Sequence, residues 1–349
     1  MHTTLKMTIF APSKIILKRY VFDILNSIFY RFLKVTIVIM GKRALPLIIL
    51  VCALLLSACK EPDLTPSYIE VAKEDVTMNM YNFNTLHNTN FDEFELAAIA
   101  DQNFSDIWIT ADGTNLGTWE MPCKLPLLDR DSVLLSLTPG ILMNGQSTTR
   151  PKYPFVQAFK KRFFFEKEGV TKVKASIQYY NNVYFPLVET FEGAGITFTK
   201  RDSTRVEFTR TTAPDLIYRN PLQPGALNMT SGVLTLPDTI TSFEVVSEEL
   251  QLPGQGYPVF LEMNYKCDKE MYVGLLTHQT TSAVVIHDPL VNIRPTDQWK
   301  KIYVNLTQCI GRRFLTAKNY QIIISSVKDK TDTNDAHFYF DNIKVVYIY

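Results

Sequence analysis

Short runs of β-branched and aromatic residues alternate with turns rich in Gly, Pro, Asn and Asp along residues 103–349. None of these runs keeps a helical spacing for more than a few residues, so long helices are not expected. Alternation of this kind is typical of β-sandwiches. In the first half, Asp112-Gly113 separates two strand-like runs and predicts a hairpin. Asn144-Gly145 predicts a second tight turn.

The pattern continues through the second half of the chain. Residues 163–165 are all Phe and are expected to be buried on both faces of a strand. Pro186 is the expected hinge between the two halves. Strands are predicted before it at 156–165 and 170–180, and after it at 233–236, 243–246, 259–266, 271–277, 299–306, 320–327 and 337–349.

Residues 40–59 have the order of a secretory signal: two basic residues at 42–43, an apolar run at 44–56, and then Leu56-Ser57-Ala58-Cys59. The apolar run is shorter than the roughly 20 residues that a membrane-spanning helix needs. An uncleaved anchor or a buried core helix is the alternative interpretation. Because residue 40 is a Met that opens a complete signal, segment 1–39 is interpreted as an upstream stretch outside the natural protein.

Leu-Ser-Ala-Cys resembles the lipobox of bacterial lipoproteins, and this resemblance implies cleavage before Cys59 and acylation of its thiol. Several acyl chains bind a bilayer more firmly than one chain does. The residues at 60–63, Lys-Glu-Pro-Asp, resemble the export signal of Bacteroidota surface lipoproteins. The protein is therefore expected on the outer membrane, facing the cell exterior, with a periplasm-facing position as the alternative.

Composition changes the picture once the signal is set aside. The full chain of 349 residues has 36 Lys and Arg against 35 Asp and Glu, and 46% of it is hydrophobic. This is too long for one small domain and too apolar for a disordered chain. Residues 1–58 hold eight of the basic residues and one acidic residue, so residues 59–349 carry 28 against 34 and a net charge of −6. A nucleic-acid partner is therefore not expected.

Two stretches resemble known domain families. Residues 106–141 resemble a PEGA-type or prealbumin-like small β-sandwich, and the extension to residue 155 resembles Bacteroidota lipoproteins. Phe191-Glu192-Gly193 and the segments 299–306 and 338–345 resemble the jelly roll of carbohydrate-binding modules and galactose-binding-like domains.

These resemblances imply an all-β protein with two β-sandwich domains, a small Ig-like or prealbumin-like one followed by a jelly roll. The expected organisation is an upstream segment (1–39), a signal peptide (40–58), a linker (59–72), the first sandwich (73–186) and the jelly roll (187–349).

The jelly-roll resemblance also implies a structural Ca²⁺ held by Glu192 near the start of the domain and Asp341 in its last strand. Carboxylate oxygens are suitable Ca²⁺ ligands. The alternative is that Glu192 lies on the surface and Asp341 forms a turn or a salt bridge.

Three cysteines follow Cys59, and an odd number excludes a complete disulfide framework. Cys267 and Cys309 lie on predicted strands of one domain, where an oxidising envelope would allow them to pair. Buried free thiols are the alternative.

The sequence does not predict an enzyme: it has no nucleophile elbow, no phosphate-binding Gly-rich loop and no Cys/His metal pattern. Sugars bind to exposed aromatic rings flanked by polar groups, and the candidates here are Tyr218, Arg219, Tyr257 and His278. Trp299 is expected to pack inside its domain. The resulting hypothesis is a non-catalytic envelope lipoprotein that binds a glycan. The alternative hypothesis is a structural lipoprotein that binds an outer-membrane protein partner.

Overall fold

The computed structural model describes residues 27–31, 65–128, 132–202, 204–223 and 228–349. The chain divides into two compact units, residues 1–64 and residues 65–349. In the first unit only the helical residues 27–31 are described, so the predicted signal peptide and Cys59 lie outside the described residues. No described helix combines the length and the hydropathy needed to cross a bilayer.

The second unit consists mainly of strands, which confirms the predicted all-β class. Its strands are β1 (Pro66–Val71), β2 (Val76–Met78), β3 (Asp106–Ala111), β4 (Thr114–Glu120), β5 (Cys123–Leu128), β6 (Ser132–Gly140), β7 (Phe159–Phe164), β8 (Val170–Lys172), β9 (Ala175–Ile177), β10 (Val183–Glu189), β11 (Phe198–Lys200), β12 (Thr209–Thr211), β13 (Ser231–Leu236), β14 (Ser242–Ser247), β15 (Val259–Cys267), β16 (Met271–Gln279), β17 (Val285–Ile293), β18 (Thr296–Asn305), β19 (Ala317–Val327) and β20 (Ala336–Ile348). Its helices are α1 (Phe83–His87), α2 (Glu93–Ala100) and α3 (Thr307–Arg313), with a 3-10 turn at Lys73–Asp75.

The first sandwich contains β1 to β9. One sheet has the order β4-β3-β6-β7 and another the order β5-β1-β8, while β2 and β9 pair separately. Asp112 and Gly113 both have positive φ and join β3 to β4, as the hairpin prediction required. β1 lies within the segment predicted as a linker, so this sandwich includes residues before position 73.

The jelly roll packs two sheets against each other. The larger sheet has the order β12-β13-β20-β15-β18, with β10 also paired to β20, and the smaller has the order β11-β14-β19-β16-β17. Pro186 lies inside β10, at a register shift between Tyr184 and Leu187, and not in a hinge between separate bodies. β10 therefore crosses the boundary predicted after residue 186.

The larger sheet is covered on both faces. In β15, Leu261 and Met263 pack into the jelly-roll core. Phe260 points the other way and belongs to the core of the first sandwich. Glu262, on the same face as Phe260, is fully buried as well. The two sandwiches thus share this sheet as a common layer.

Several local predictions were wrong. Residues 163–165 are not buried together, because Phe164 is 78% exposed at the edge strand β7. The strand predicted at 170–180 is divided into β8 and β9, of which β8 pairs with β1 and β9 with β2. β17 was not predicted at all, and it contains Pro289 at a register shift.

Helix α2 was also missed, although its start carries a recognisable signal. Asp92 accepts a hydrogen bond from the backbone N–H of Glu95 (2.8 Å), and the Glu95 carboxylate accepts one from the backbone N–H of Asp92 (2.9 Å). This capping box fixes the first turn of the helix. Asp101 immediately follows the other end of α2 and contacts the larger jelly-roll sheet.

Gly232→Ala tests the packing of the jelly-roll core. A Cβ at this position would lie 2.3 Å from the fully buried ring of Phe191, which must then move. We expect a loss of about 1–3 kcal/mol in the free energy of unfolding, measured by urea denaturation. Gly195→Ala is the control, since a Cβ there meets nothing within 4 Å. Equal stability of the two variants would contradict this packing.

Candidate ligand-binding site

A cavity of about 260 Å³ opens between the loop that follows β12 and the edge strand β18. It is lined by Asn103, Tyr218, Arg219, Asn220, Pro221, Leu222, Asn264, Gln298, Trp299, Lys300 and Lys301. Asn103 belongs to the first sandwich and the others to the jelly roll, so the cavity lies where the two sandwiches meet.

A bulge in β18 places Trp299 at this cavity. β18 pairs with β15 at Tyr265↔Lys300 and next at Cys267↔Thr296, so three residues of β18 stand opposite one residue of β15. Bulges re-aim side chains at sheet edges. The Trp299 ring meets the Tyr218 ring edge to face, with centroids 5.3 Å apart. Trp299 is half-buried and lines the cavity, so its predicted role as an interior packing residue is incomplete.

The Asp101 carboxylate holds the wall of the cavity in place. It comes from the first sandwich and is buried, and among the described residues its hydrogen-bond donors are all jelly-roll side chains. The donors are Tyr218 Oη (3.0 Å), Asn220 Nδ2 (2.6 Å), Asn264 Nδ2, Lys301 Nζ (3.3 Å) and Asn342 Nδ2 (3.1 Å). All of these donors except Asn342 also line the cavity, so one carboxylate fixes four of its polar side chains.

A second group of buried polar side chains lies beside Asp101 and is centred on Glu262. Glu262 and Lys344 are directly opposite each other on β15 and β20, and Lys344 Nζ lies 3.4 Å from Glu262 Oε2. Glu262 also accepts hydrogen bonds from Tyr153 Oη (2.6 Å) and Gln102 Nε2 (3.2 Å) of the first sandwich. Because a buried charge is costly unless it is paired, these contacts hold the two sandwiches in one register.

Lys344 also caps the end of α2. Its ammonium donates to the carbonyl oxygens of Ala98 (2.5 Å), Ile99 (3.3 Å) and Asp101 (3.1 Å). The last carbonyls of a helix have no partner within the helix and carry partial negative charge. A cation of the jelly roll thus satisfies the helix that positions Asp101.

The electrostatic environment differs among the buried groups. Burial by itself raises the pKa of Asp101, but Lys301, Lys344 and hydrogen bonds from Asn264 and Asn342 outweigh it, so this pKa is lowered overall. The carboxylate is therefore ionised near neutral pH.

Two neighbouring groups have pKa values that are shifted in the direction that favours the neutral form of each. Burial, with repulsion from Lys301, lowers the pKa of Lys344 to about 7, although Glu262 and Asp101 oppose the shift. Burial also raises the pKa of Asp341 well above its usual range, in spite of a hydrogen bond from Ser231 Oγ. Burial therefore favours the neutral form of the Asp341 carboxyl.

The chemistry of the lining residues suits recognition. They offer two aromatic rings, four side-chain amides and three cationic groups. None of the lining residues is Asp, Glu, His, Cys, Ser or Thr.

The four predicted ligand-binding residues do not form one site. Tyr218 and Arg219 line the cavity, but the Tyr218 ring is buried and its hydroxyl donates to Asp101, so it is not an exposed platform. Tyr257 stacks on Tyr349 with centroids 4.8 Å apart. His278 pairs with Gln321 (2.7 Å) on the smaller jelly-roll sheet. Neither Tyr257 nor His278 lines the cavity.

The predicted calcium ligands have separate protein partners. Glu192 Oε1 accepts hydrogen bonds from the backbone N–H groups of Met229 (2.6 Å) and Thr230 (2.7 Å). Asp341 is bound by Ser231 and by the backbone N–H of Asn342 (2.8 Å). Within the described part of the chain, no group of three or more His, Cys, Asp or Glu side chains could hold a metal ion. Calcium binding stays a prediction.

Cys267 and Cys309 are both buried free thiols in the structure, so the disulfide that was one of two expectations is not formed. Burial raises the pKa of each thiol to about 11, which keeps both protonated and unreactive at neutral pH.

Several solved structures resemble parts of this chain. One is a xylan-binding domain of carbohydrate-binding module family 22, at 15% identity and a TM-score of 0.32, covering 47% of this chain and 94% of that chain. Another is a family 11 carbohydrate-binding module from Clostridium thermocellum in complex with a β-1,3-1,4-mixed-linked tetrasaccharide, at 12% identity and a TM-score of 0.32, covering 47% of this chain and 94% of that one. A third is the tandem family 22 module pair of Paenibacillus barcinonensis Xyn10C, at 13% identity and a TM-score of 0.33, covering 71% and 74%.

These neighbours are carbohydrate-binding modules, although other matches lie in enzyme chains, such as a Clostridium thermocellum xylanase of which this chain covers 28%. Similarity this distant does not assign a ligand, and the fold described above rests on the strand pairings themselves. The sequence matches no family model and no curated protein.

Proposed function

We propose that this protein is a non-catalytic glycan-binding protein whose binding site is the cavity beside Trp299. The observation that carries the proposal is the composition of the cavity wall, which combines the half-buried Trp299 ring with the amides of Asn103, Asn220 and Gln298. Aromatic rings are broad apolar surfaces, against which the C–H face of a sugar packs, while amides both donate and accept hydrogen bonds. A volume of about 260 Å³ suits the end of a glycan better than a long chain.

A second candidate function is binding of a protein partner at a surface tyrosine cluster. Tyr184 stacks on Tyr347 at 5.2 Å, and Tyr257 stacks on Tyr349 at 4.8 Å. Tyr184, Tyr257 and Tyr349 are exposed. Tyrosine is enriched in protein interfaces, so this cluster supports a protein partner as the alternative ligand.

The glycan proposal is tested by screening the detergent-solubilised full chain on an array of neutral and acidic glycans. We expect saturable binding that Trp299→Ala weakens at least tenfold, because the variant loses the aromatic wall. Tyr257→Ala is the control and leaves glycan binding unchanged, since Tyr257 lies outside the cavity. Loss of binding in Tyr257→Ala alone would move the site to the tyrosine cluster. A flat array with a membrane protein co-purifying would favour the alternative function.

We further propose that acyl chains on Cys59 hold this binding unit at the outer membrane, on the cell surface. The signal-like order of residues 40–59 supports this placement. Mass spectrometry of the membrane-bound protein should find an acylated Cys59 as the first residue. A peptide from residues 40–58 in the mature protein would contradict the proposal. Digestion by protease added to intact cells separates the surface position from the periplasmic one.

A further inference from the structure

The side chains that line the cavity carry positive charges without negative ones. Arg219, Lys300 and Lys301 line it, and no Asp or Glu does. The three cations do not contribute equally to the space that a ligand would enter, because the surroundings of each differ.

The positive charge of Lys301 is compensated by two nearby carboxylates. Its side chain is 1% exposed, and its Nζ lies 3.3 Å from Asp101 Oδ2 and 3.9 Å from Glu262 Oε2. Lys344 lies 3.4 Å from the same Glu262 oxygen. Lys301 is therefore paired with carboxylates behind the cavity wall and offers no free charge to a ligand.

Lys300 and Lys301 leave β18 on opposite faces, because successive side chains of a strand alternate. Ile302, which shares the face of Lys300, packs into the jelly-roll core. Lys300 thus directs its charge toward the rim of the jelly roll and away from the side on which Lys301 meets Asp101.

Arg219 is the remaining cation. It is exposed, follows the buried Tyr218 directly, and makes no hydrogen bond or ion pair with any described residue. A planar guanidinium beside aromatic rings and amides is suited to bind a carboxylate through two parallel hydrogen bonds.

We propose that the glycan bound in this cavity is acidic and that Arg219 pairs with the carboxylate of a uronic acid residue. The inference rests on the glycan-binding function proposed above and adds the chemical class of the ligand. Arg219 selects for charge, while Trp299 and the amides hold the sugar ring and its hydroxyls.

Matched ligands separate charge from shape. Calorimetry on the full chain compares oligosaccharides of galacturonate, glucuronate and mannuronate with the methyl ester of each, in which the same sugar has lost its charge. We expect at least one acid to bind ten times more tightly than its ester, with an affinity that falls as salt rises.

Variants assign this preference to one residue. Arg219→Gln should remove most of the difference between acid and ester while leaving ester binding unchanged, and Arg219→Lys should restore it in part. Arg162→Gln, an exposed arginine on β7 of the first sandwich, is the control and should change neither affinity.

Failure of the acidic-ligand inference and failure of the glycan-binding function give different results. If neutral glycans bind as tightly as acidic ones, or if Arg219→Gln keeps the full preference, the acidic-ligand inference is overturned and the glycan-binding function stands. If no glycan binds, acidic or neutral, the proposed function fails and this inference fails with it.

Discussion

The Asp101 carboxylate is the contact on which the arrangement of the two sandwiches depends. It leaves the first sandwich at the end of α2 and is surrounded by donors of the jelly roll. Lys344 of the jelly roll adds a second contact to the same helix by donating hydrogen bonds to its last carbonyls. Removing one partner of a buried ion pair is far more damaging than removing an exposed pair, because the remaining charge stays buried without compensation. This cluster therefore specifies one packing of the sandwiches.

The shared sheet explains why the candidate site is a composite one. The outward face of β15 and β20 would be open to solvent in a free-standing sandwich, but here the first sandwich covers it. The cavity beside Trp299 lies where that cover ends and Asn103 meets the jelly roll. Since Asp101 binds four polar side chains of the wall, the first sandwich organises a site whose lining comes almost entirely from the second.

Local signals in the sequence predicted the local parts of the fold. Asp112-Gly113 specified a hairpin because both residues tolerate positive φ. Alternating apolar residues placed most jelly-roll strands correctly, since one face of each strand is buried in the core. The capping box at Asp92 and Glu95 could have revealed α2, but that helix is too short for its apolar spacing to be recognised.

The site was less predictable. Glu262, Asn264 and Lys344 alternate with core residues, which is the pattern of a solvent-facing side. Their partners in the first sandwich lie between 109 and 246 residues away along the chain. Tyr218 and Arg219 were predicted as binding residues because they lie in a polar loop. The position of Trp299 depends on a bulge in β18, which no local sequence pattern predicts.

The central claim is tested most directly by the unfolding free energy of Asp101→Asn in the full chain. The substitution keeps the shape of the side chain but removes the charge that Lys301 and the surrounding amides need. Glu207→Gln, which breaks the exposed 3.1 Å pair with Lys200, is the matched control. Urea denaturation should show a loss of about 3–5 kcal/mol for Asp101→Asn and no more than about 1 kcal/mol for the control. Equal, small losses in both variants would contradict the claim that this buried carboxylate locks the two sandwiches together.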